Sequence, residues 1–385
     1  MELEKILAGR RVLFINAIRS DVPSGGNTST QLLIKKLKDH CDLIDFSLNP
    51  KLGGERSFLW RILVMFIMAP APVFVLLSRR TGLVWFEFFL RISPFYFLWC
   101  LWLRVRYRPE FVIFNHHASF CYQAAFGCKK ILIWHDVPSL KFDATRARGK
   151  QKRCSAALER CFIRSTFGNV TFSFDDQRML LRLHRRNSYV IPVVPNQIRV
   201  RSGAVNDRSA LLIGNWTRIE NVEGATAFLR AYLDAKVSGA NTDHSMRFHI
   251  AGHGSVEYVS HLKGSMPDLR ELDIQVTGRY EDICQFDEGV MLAPLLRGAG
   301  IKLKTIEAWS RNIPVVGTRQ AFTGLPRSIW SRGGVLLETP ADIARLCLAP
   351  DALKQACQQL SPLTAFQLYQ DAIERSAKTS APVSP

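Results

Sequence analysis

The chain has 385 residues, 47% of them apolar and 22% charged, and its 51 Lys and Arg against 33 Asp and Glu give a formal net charge of +18. That length suits two ordinary domains, each with its own core, and the balance excludes a disordered or low-complexity protein. The charge calls for an acidic partner: nucleic acid, an anionic membrane surface, or a phosphate-bearing substrate. Nine cysteines at irregular positions, with no C-x-x-C pair, point to reduced thiols in a cytosolic compartment, and Met1 to Arg11 lacks the long apolar run of a secretory signal.

The first elements read as strand, glycine loop and helix. Arg11–Ala17 is a short apolar run, Ser20–Thr30 a turn-rich stretch centred on Gly25 and Gly26, and Leu32, Leu33, Ile34 and Leu37 lie at helical spacing among lysines. Leu43–Phe46 reads as the next strand. The segment from Phe58 to Leu103 is a compositional anomaly. Ile62–Leu77 carries no charge, yet at about 1.5 Å per residue it falls short of a bilayer core of about 30 Å, and Pro70 and Pro72 break it. Ile92–Leu103 is shorter and rich in Phe, Trp and Tyr. Arg56, Arg61, Arg79, Arg80, Arg91, Arg104, Arg106 and Arg108 flank the two runs. Apolar faces bearing Trp and bordered by Arg suit helices lying in the interface of an anionic leaflet. Buried core helices and a true span are the other readings.

Phe111–Phe114 and Ile131–Trp134 read as buried strands, followed by His116-His117 and His135-Asp136. Val170–Ser173 and Tyr189–Val194 continue the series until Pro192 and Pro195 punctuate it. A second alternation starts at Ala210–Gly214 and runs through a helix at Gly224–Lys236, a strand at Arg247–Ala251, a Gly252-His253-Gly254 turn, and strands at Asp273–Thr277 and Val290–Pro294. A glycine loop, a helix over about Lys302–Ser310 and the strand Pro314–Thr318 follow. Two β-then-α runs predict an α/β protein of two Rossmann-like domains facing across a cleft. The expected bounds are 1–198 for the first domain, with the basic hydrophobic insertion at 56–108, then 199–350 for the second. Residues 351–385 are expected to form a C-terminal helix and tail that return to the first domain.

The strongest chemical constellation is the segment from Ala293 to Trp309, APLLRGAGIKLKTIEAW. A strand ends, Gly298 and Gly300 permit close backbone approach, and a helix is expected to open with Lys302 and Lys304 in its first turn. Helix N–H groups and the dipole favour an anion there, and two lysines oppose that dipole unless an anion binds. Glu307, further along, is placed to accept hydrogen bonds from a ribose diol. A glycine turn with surface lysines is the alternative. His249-x-x-x-His253 has a zinc-like spacing, but it runs from strand into turn, so no metal site is expected. Asp175-Asp176 reads as a helix N-cap. No Walker loop or Gly-x-Ser-x-Gly is present.

The stretch APLLRGAGIKLKTIEAWSRNIPVVGT resembles the nucleotide-sugar signature of the GT-B glycosyltransferases of family 4, or group 1, which includes bacterial polysaccharide and lipopolysaccharide glycosyltransferases. In that family a Glu-x7-Glu pair is carried on the loop and helix. Glu307 matches the second glutamate, the ribose ligand, while the first falls on Ala299; a branch carrying GAGIKxKxxE fits closely. Leu211–Trp216 with Glu220–Gly224 resembles the loop that opens the donor domain. Where many relatives place Arg and Lys there against the diphosphate, this chain has Asn215 and Asn221. Arg218, Arg297, Lys302 and Lys304 are the available substitutes. Ala251–Gly254 resembles the AGxGP turn, Val276–Gly278 the VxFxGxV strand, and Val193–Asn196 the VIPNG element. His135 matches the histidine beside the donor sugar, and Gly25 and Gly26 the glycine pair near the donor phosphates.

The resemblance implies a retaining hexosyltransferase that needs neither metal nor cofactor and uses a nucleotide-diphosphate sugar as substrate. His135, Lys302 and Glu307 would be its catalytic residues. Gly25, Gly26, Gly214, Asn215, Arg218, Gly254, Arg297, Gly300, Lys302, Lys304 and Glu307 would bind the donor. The basic charge and the apolar insertion fit a polyprenyl-diphosphate-linked or other lipid-linked glycan as acceptor. They place the enzyme on the anionic inner face of the cytoplasmic membrane in polysaccharide biosynthesis. No nucleic acid is expected, because the basic residues follow hydrophobic segments rather than one stripe. The rival readings are a nucleotide-sugar 2-epimerase of the same plan and a membrane-bound scaffold with a degenerate site, the latter suggested by Ala299, Asn215 and Asn221.

Overall fold

The computed structural model describes residues 2–16, 25–47, 94–135, 137, 157, 159–191, 206–238, 246–298 and 300–379. The apolar run Ile62–Leu77, the arginines up to Arg91, Asp136, the segment Pro192–Asn196 and Ala299 lie outside them. By its contacts the chain divides into two compact units, Met1–Ile191 with Glu374–Pro385, and Pro192–Ile373.

In the first unit a short helix α1 (Glu2–Leu7) precedes β1 (Arg11–Asn16), and α2 (Gly25–Lys38) leads to β2 (Asp42–Ser47). Then come α3 (Pro94–Tyr107), β3 (Phe111–Asn115), a 3-10 segment (His117–Ala125) and β4 (Lys129–Trp134). β5 (Gly168–Thr171), α4 (Phe174–His184) and a two-residue β6 (Tyr189–Val190) complete it. The six strands form one parallel sheet in the order β2-β1-β3-β4-β5-β6. Val12, Leu13, Phe14 and Ile15 are all buried, as are Ile131 to Trp134, so these strands are covered on both faces. That is why they read as continuous apolar runs rather than as alternation.

Two details depart from the sequence reading. Gly25 and Gly26 open α2 rather than sitting in the middle of a loop. The N-cap of α4 is Ser173, whose hydroxyl accepts from Asp176 N, while Asp175 and Asp176 occupy the first turn. Asp176 also accepts from Val137 N and from Ser173 Oγ, so this buried carboxylate ties the β4 end to the helix.

The second unit repeats the plan. β7 (Asn206–Ile213), α5 (Ile219–Val237), β8 (Arg247–Ala251), α6 (Ser255–Ser265) and β9 (Ile274–Thr277) form one half. β10 (Glu288–Ala293), α7 (Leu303–Ser310), β11 (Val315–Thr318) and β12 (Gly334–Leu337) form the other. The sheet order is β12-β11-β10-β7-β8-β9, all parallel. Phe228, Tyr232, Phe248 and Leu292 fill a core that extends to Ile343 and Cys347 on α8 (Pro340–Cys347), and to Leu353 on α9 (Pro350–Gln358). A Lys354–Asp207 ion pair of 2.7 Å also fastens α9 to the β7 strand. The last helix, α10 (Pro362–Thr379), starts in this unit and ends in the first, where Gln177 donates to Ser376 Oγ at 2.9 Å.

Candidate functional site

In the second sheet the chain order reverses between β7 and β10. Adjacent parallel strands whose connections leave in opposite directions open a crevice at their carboxyl ends. The loop after β7 forms one wall. Gly214 N donates to Ala251 O, and Trp216 N donates to His253 O. Gly252, at φ +122, lies so close that an added Cβ would come within 2.0 Å of Gly214 O. Only a glycine lets these two turns touch backbone to backbone. Gly254, at φ +78, is the residue from which α6 starts. Asn215 turns its Oδ1 to Thr217 N and Thr217 Oγ1, at 3.1 and 2.7 Å. That oxygen shapes its own loop.

The other wall is the turn after β10, with Gly298 at φ +137 and Gly300 at φ +70. Lys302 precedes α7 as its N-cap residue rather than lying within its first turn, and its amine folds back to Gly300 O at 3.1 Å. Lys304 reaches across to the first wall, donating to Ile213 O at 3.2 Å and to Asn221 Oδ1 at 3.0 Å. Asn221 in turn donates to Asn215 O at 2.8 Å. An ammonium has three donors, and these contacts use two of Lys304's. Burial, then the positive charges of Lys302 and Arg218, push its amine down to about 7. Of the four cations expected around a diphosphate, three therefore act on one another. The fourth, Arg297, is held by Glu223 at 2.6 Å. Arg218 sits at the start of α5, well exposed, with Glu220 at 3.6 Å.

Glu307 lies on α7, partly buried, and among the described residues its carboxylate takes no hydrogen bond. Burial raises its acid to about 7, with Arg311 pulling it down and Asp282 pushing it up. Arg311, itself buried, is gripped by Asp282 through two contacts of 3.1 and 3.0 Å. That pairing leaves Glu307 without a strong counter-ion. Burial, with Glu307 and Asp282 beside it, holds the Tyr280 phenol far above its ordinary range. Tyr280, Asp282 and Arg311 were absent from the sequence reading. They converge on Glu307 from the loop beyond β9 and from the end of α7; the i,i+4 spacing announces Arg311, and nothing in the chain announces Tyr280 or Asp282.

In the first unit the described residues that end β1, β3 and β4 include polar side chains bonded to one another. His135 follows β4, and its Nε2 lies 2.7 Å from Asn115 Oδ1 at the end of β3. Asn115 Nδ2 donates to Asn16 Oδ1 at 2.9 Å and to Thr30 Oγ1 at 3.1 Å. Burial pushes the His135 imidazolium down to about 4, so the ring is neutral at physiological pH. Its ring centroid is 4.9 Å from that of Phe172 and 5.8 Å from that of His116, whose backbone is left-handed at φ +81. Gly25 and Gly26 are described only as the start of α2, and the His117 side chain lies outside the described residues. Asn16, Thr30 and Asn115 went unremarked in the sequence. Two of them carry a legible signal, since each is an amide closing an otherwise apolar strand. In the zinc-like spacing, His249 directs one ring nitrogen at Glu288 and the other at Thr277, both at 2.7 Å.

Residues 207–357 match the family model described as Glycosyl transferases group 1. The second unit carries a group 1 glycosyltransferase domain. No curated protein sequence matches the chain. The fold has solved counterparts. Sucrose-phosphate synthase from Thermosynechococcus elongatus is similar at TM-score 0.62 and 13% identity, over 96% of this chain and 98% of that one. HepE from Anabaena, solved in complex with UDP, is similar at TM-score 0.57 and 13% identity, over 95% and 100%. The lipopolysaccharide outer core galactosyltransferase WaaB is similar at TM-score 0.51 and 14% identity, over 94% and 99%. The two six-stranded parallel sheets are thus those of the GT-B fold, and the glycosyltransferase domain coincides with the unit holding the lysine-lined crevice.

Proposed function

We propose that this glycosyltransferase is a retaining, metal-independent enzyme. It takes a sugar from a nucleotide diphosphate and passes it to a membrane-associated glycan or glycolipid in polysaccharide biosynthesis. The observation that carries the reading is the meeting of Lys302, Lys304 and Arg218 at the switch point of the group 1 domain. As the sugar–phosphate bond breaks, negative charge grows on the leaving diphosphate, and fixed cations in a partly desolvated crevice lower that barrier. Glu307, lacking a hydrogen bond among the described residues, suits the ribose diol. The neutral ring of His135 suits a sugar hydroxyl. That the neighbour HepE was solved with UDP supports a nucleotide donor.

The membrane reading draws on α3. Leu98, Trp102 and Val105 recur along one side of this helix and stand 63%, 50% and 72% exposed. The Trp102 ring lies 5.3 Å from that of Trp99, tilted against it, and Arg104, Arg106 and Arg108 border them with exposed side chains. Trp at the headgroup level and Arg against anionic lipid suit a helix lying on a leaflet. No helix among the described residues is long and apolar enough to cross a membrane.

The test is to incubate the purified chain with UDP- and GDP-sugars, following thermal stabilisation and then transfer to lipid-linked acceptors. One nucleotide sugar should raise the melting point and yield a product of retained anomeric configuration in EDTA. If no nucleotide sugar binds, the donor site is wrong. A freed epimerised sugar with no acceptor product would favour the epimerase.

A further inference from the structure

The polar group beneath His135 is not a general feature of a sheet edge. Asn115 is 1% exposed, and so its amide must satisfy every group it presents inside the protein. Its two N–H donors are both taken, one by Asn16 Oδ1 and one by Thr30 Oγ1. Its oxygen is therefore the only group it can turn to the imidazole, and an oxygen can only accept. With Asn115 Oδ1 facing the ring, the contact of 2.7 Å to His135 Nε2 is satisfied when the proton sits on Nε2. In a neutral ring with Nε2 protonated, Nδ1 carries a bare lone pair.

We infer that Asn115 is a positioning residue that clamps His135 in the Nε2–H tautomer, so that Nδ1 is presented as a hydrogen-bond acceptor for a hydroxyl of the sugar substrate. The substrate class rests on the function proposed above; the tautomer rests on the geometry alone. Among the described residues Nδ1 has no hydrogen-bond partner. The His116 ring lies beside it, with ring centroids 5.8 Å apart, and Phe172 covers the ring at 4.9 Å, edge to face. The arrangement suits a group that takes a hydroxyl hydrogen bond without becoming charged. Asn16 and Thr30 orient Asn115, which orients His135, and the chain of bonds links the ends of β1 and β3 and the first turns of α2 to β4.

The experiment is long-range 15N–1H NMR of ring-labelled histidine, with His135 assigned by its own substitution. Wild-type protein should show Nε2 protonated and Nδ1 bare. Asn115→Ala, lacking the acceptor, should show a mixed tautomer. Asn115→Asp should show an imidazolium signature, because a carboxylate accepts from the ring and favours its charged form. Transfer should fall at least tenfold in kcat/KM in both variants. A wild-type ring protonated on Nδ1 would overturn the proposal outright, with no variant needed. So would an unchanged tautomer in a folded Asn115→Ala, or full transfer by Asn115→Asp. Wild-type protein with the expected tautomer that is inactive on every nucleotide sugar would support the clamp and overturn the substrate reading instead.

Discussion

The two units have the same plan, a six-stranded parallel sheet that reverses beside its first strand, and they arm the edge at that reversal in opposite ways. In the second unit the edge is cationic: Lys302 and Arg218 both act on Lys304, while Arg297 pairs with Glu223 and Arg218 with Glu220 at its exposed end. In the first unit the edge is built from amides, a hydroxyl and a neutral imidazole that satisfy each other. A cluster of like charges is costly in the empty protein and gains only when an anion arrives. A closed amide network is stable by itself and specifies direction rather than charge. Shared topology thus supplies the crevice, and the residues closing the strands decide what enters it.

The largest break in the comparison should come from Lys304→Ala. Removing the amine takes away a ligand for the diphosphate and orphans Ile213 O and Asn221 Oδ1. Nucleotide-sugar affinity should fall by about 10- to 100-fold, the order of the one charge-assisted hydrogen bond left to its third donor. Titration calorimetry checks this, and unchanged affinity would remove the cationic edge from donor binding.

A second test separates the edges by pH. At pH 8 the Lys304 amine, held to about 7, is mostly neutral, and an arriving diphosphate favours its charged form. Nucleotide-sugar binding should therefore take up close to one proton at pH 8 and almost none at pH 6, read from calorimetry in buffers of different ionisation enthalpy. Lys304→Met should abolish the uptake. The stability linkage has the corresponding sign. Between about 7 and the ordinary lysine value the unfolded chain binds more protons, so this group adds stability as pH rises through that window. Glu307 works the other way. Its acid is raised to about 7, so the native chain holds the extra proton below that pH and loses stability as pH climbs from 4.5 to 7; Glu307→Gln should flatten that limb. In the first unit His135, lowered to about 4, costs stability only as pH falls below its usual 6.5.

The smallest effect should be Thr30→Val, which removes one neutral hydrogen bond to Asn115. It should lower stability by about 1–3 kcal/mol in urea unfolding, because it leaves a buried Asn115 N–H without that acceptor. A loss several times larger would mean that the first unit's network holds the sheet together rather than aiming one ring.

Much of the second unit's site was legible. Glu307, Lys302 and Lys304 lie within six residues after a glycine bend, so local spacing alone brings them near one crevice. Which lysine does what was not legible: Lys304 reaches Asn221, 83 residues away in the chain, whereas Lys302 folds onto its own loop. Nor was it legible that the Asn215 side-chain oxygen turns to its own Thr217, two residues on. In the first unit His135 could be picked out as the polar residue after an apolar strand. Its tautomer depends on Asn16 and Asn115, 99 residues apart.

Strand and helix periodicity, the glycine bends and the charge balance are properties of neighbouring residues, and so the alternation of β and α, the two-unit plan and the glycine turn before α7 follow from the chain read in order. Hydrogen-bond partners across a parallel sheet come from strands separated by whole crossover helices, and burial depends on every element packed above. The neutral state of His135, the near-neutral amine of Lys304 and the partnering of Arg297 and Arg311 are therefore decisions of tertiary structure alone.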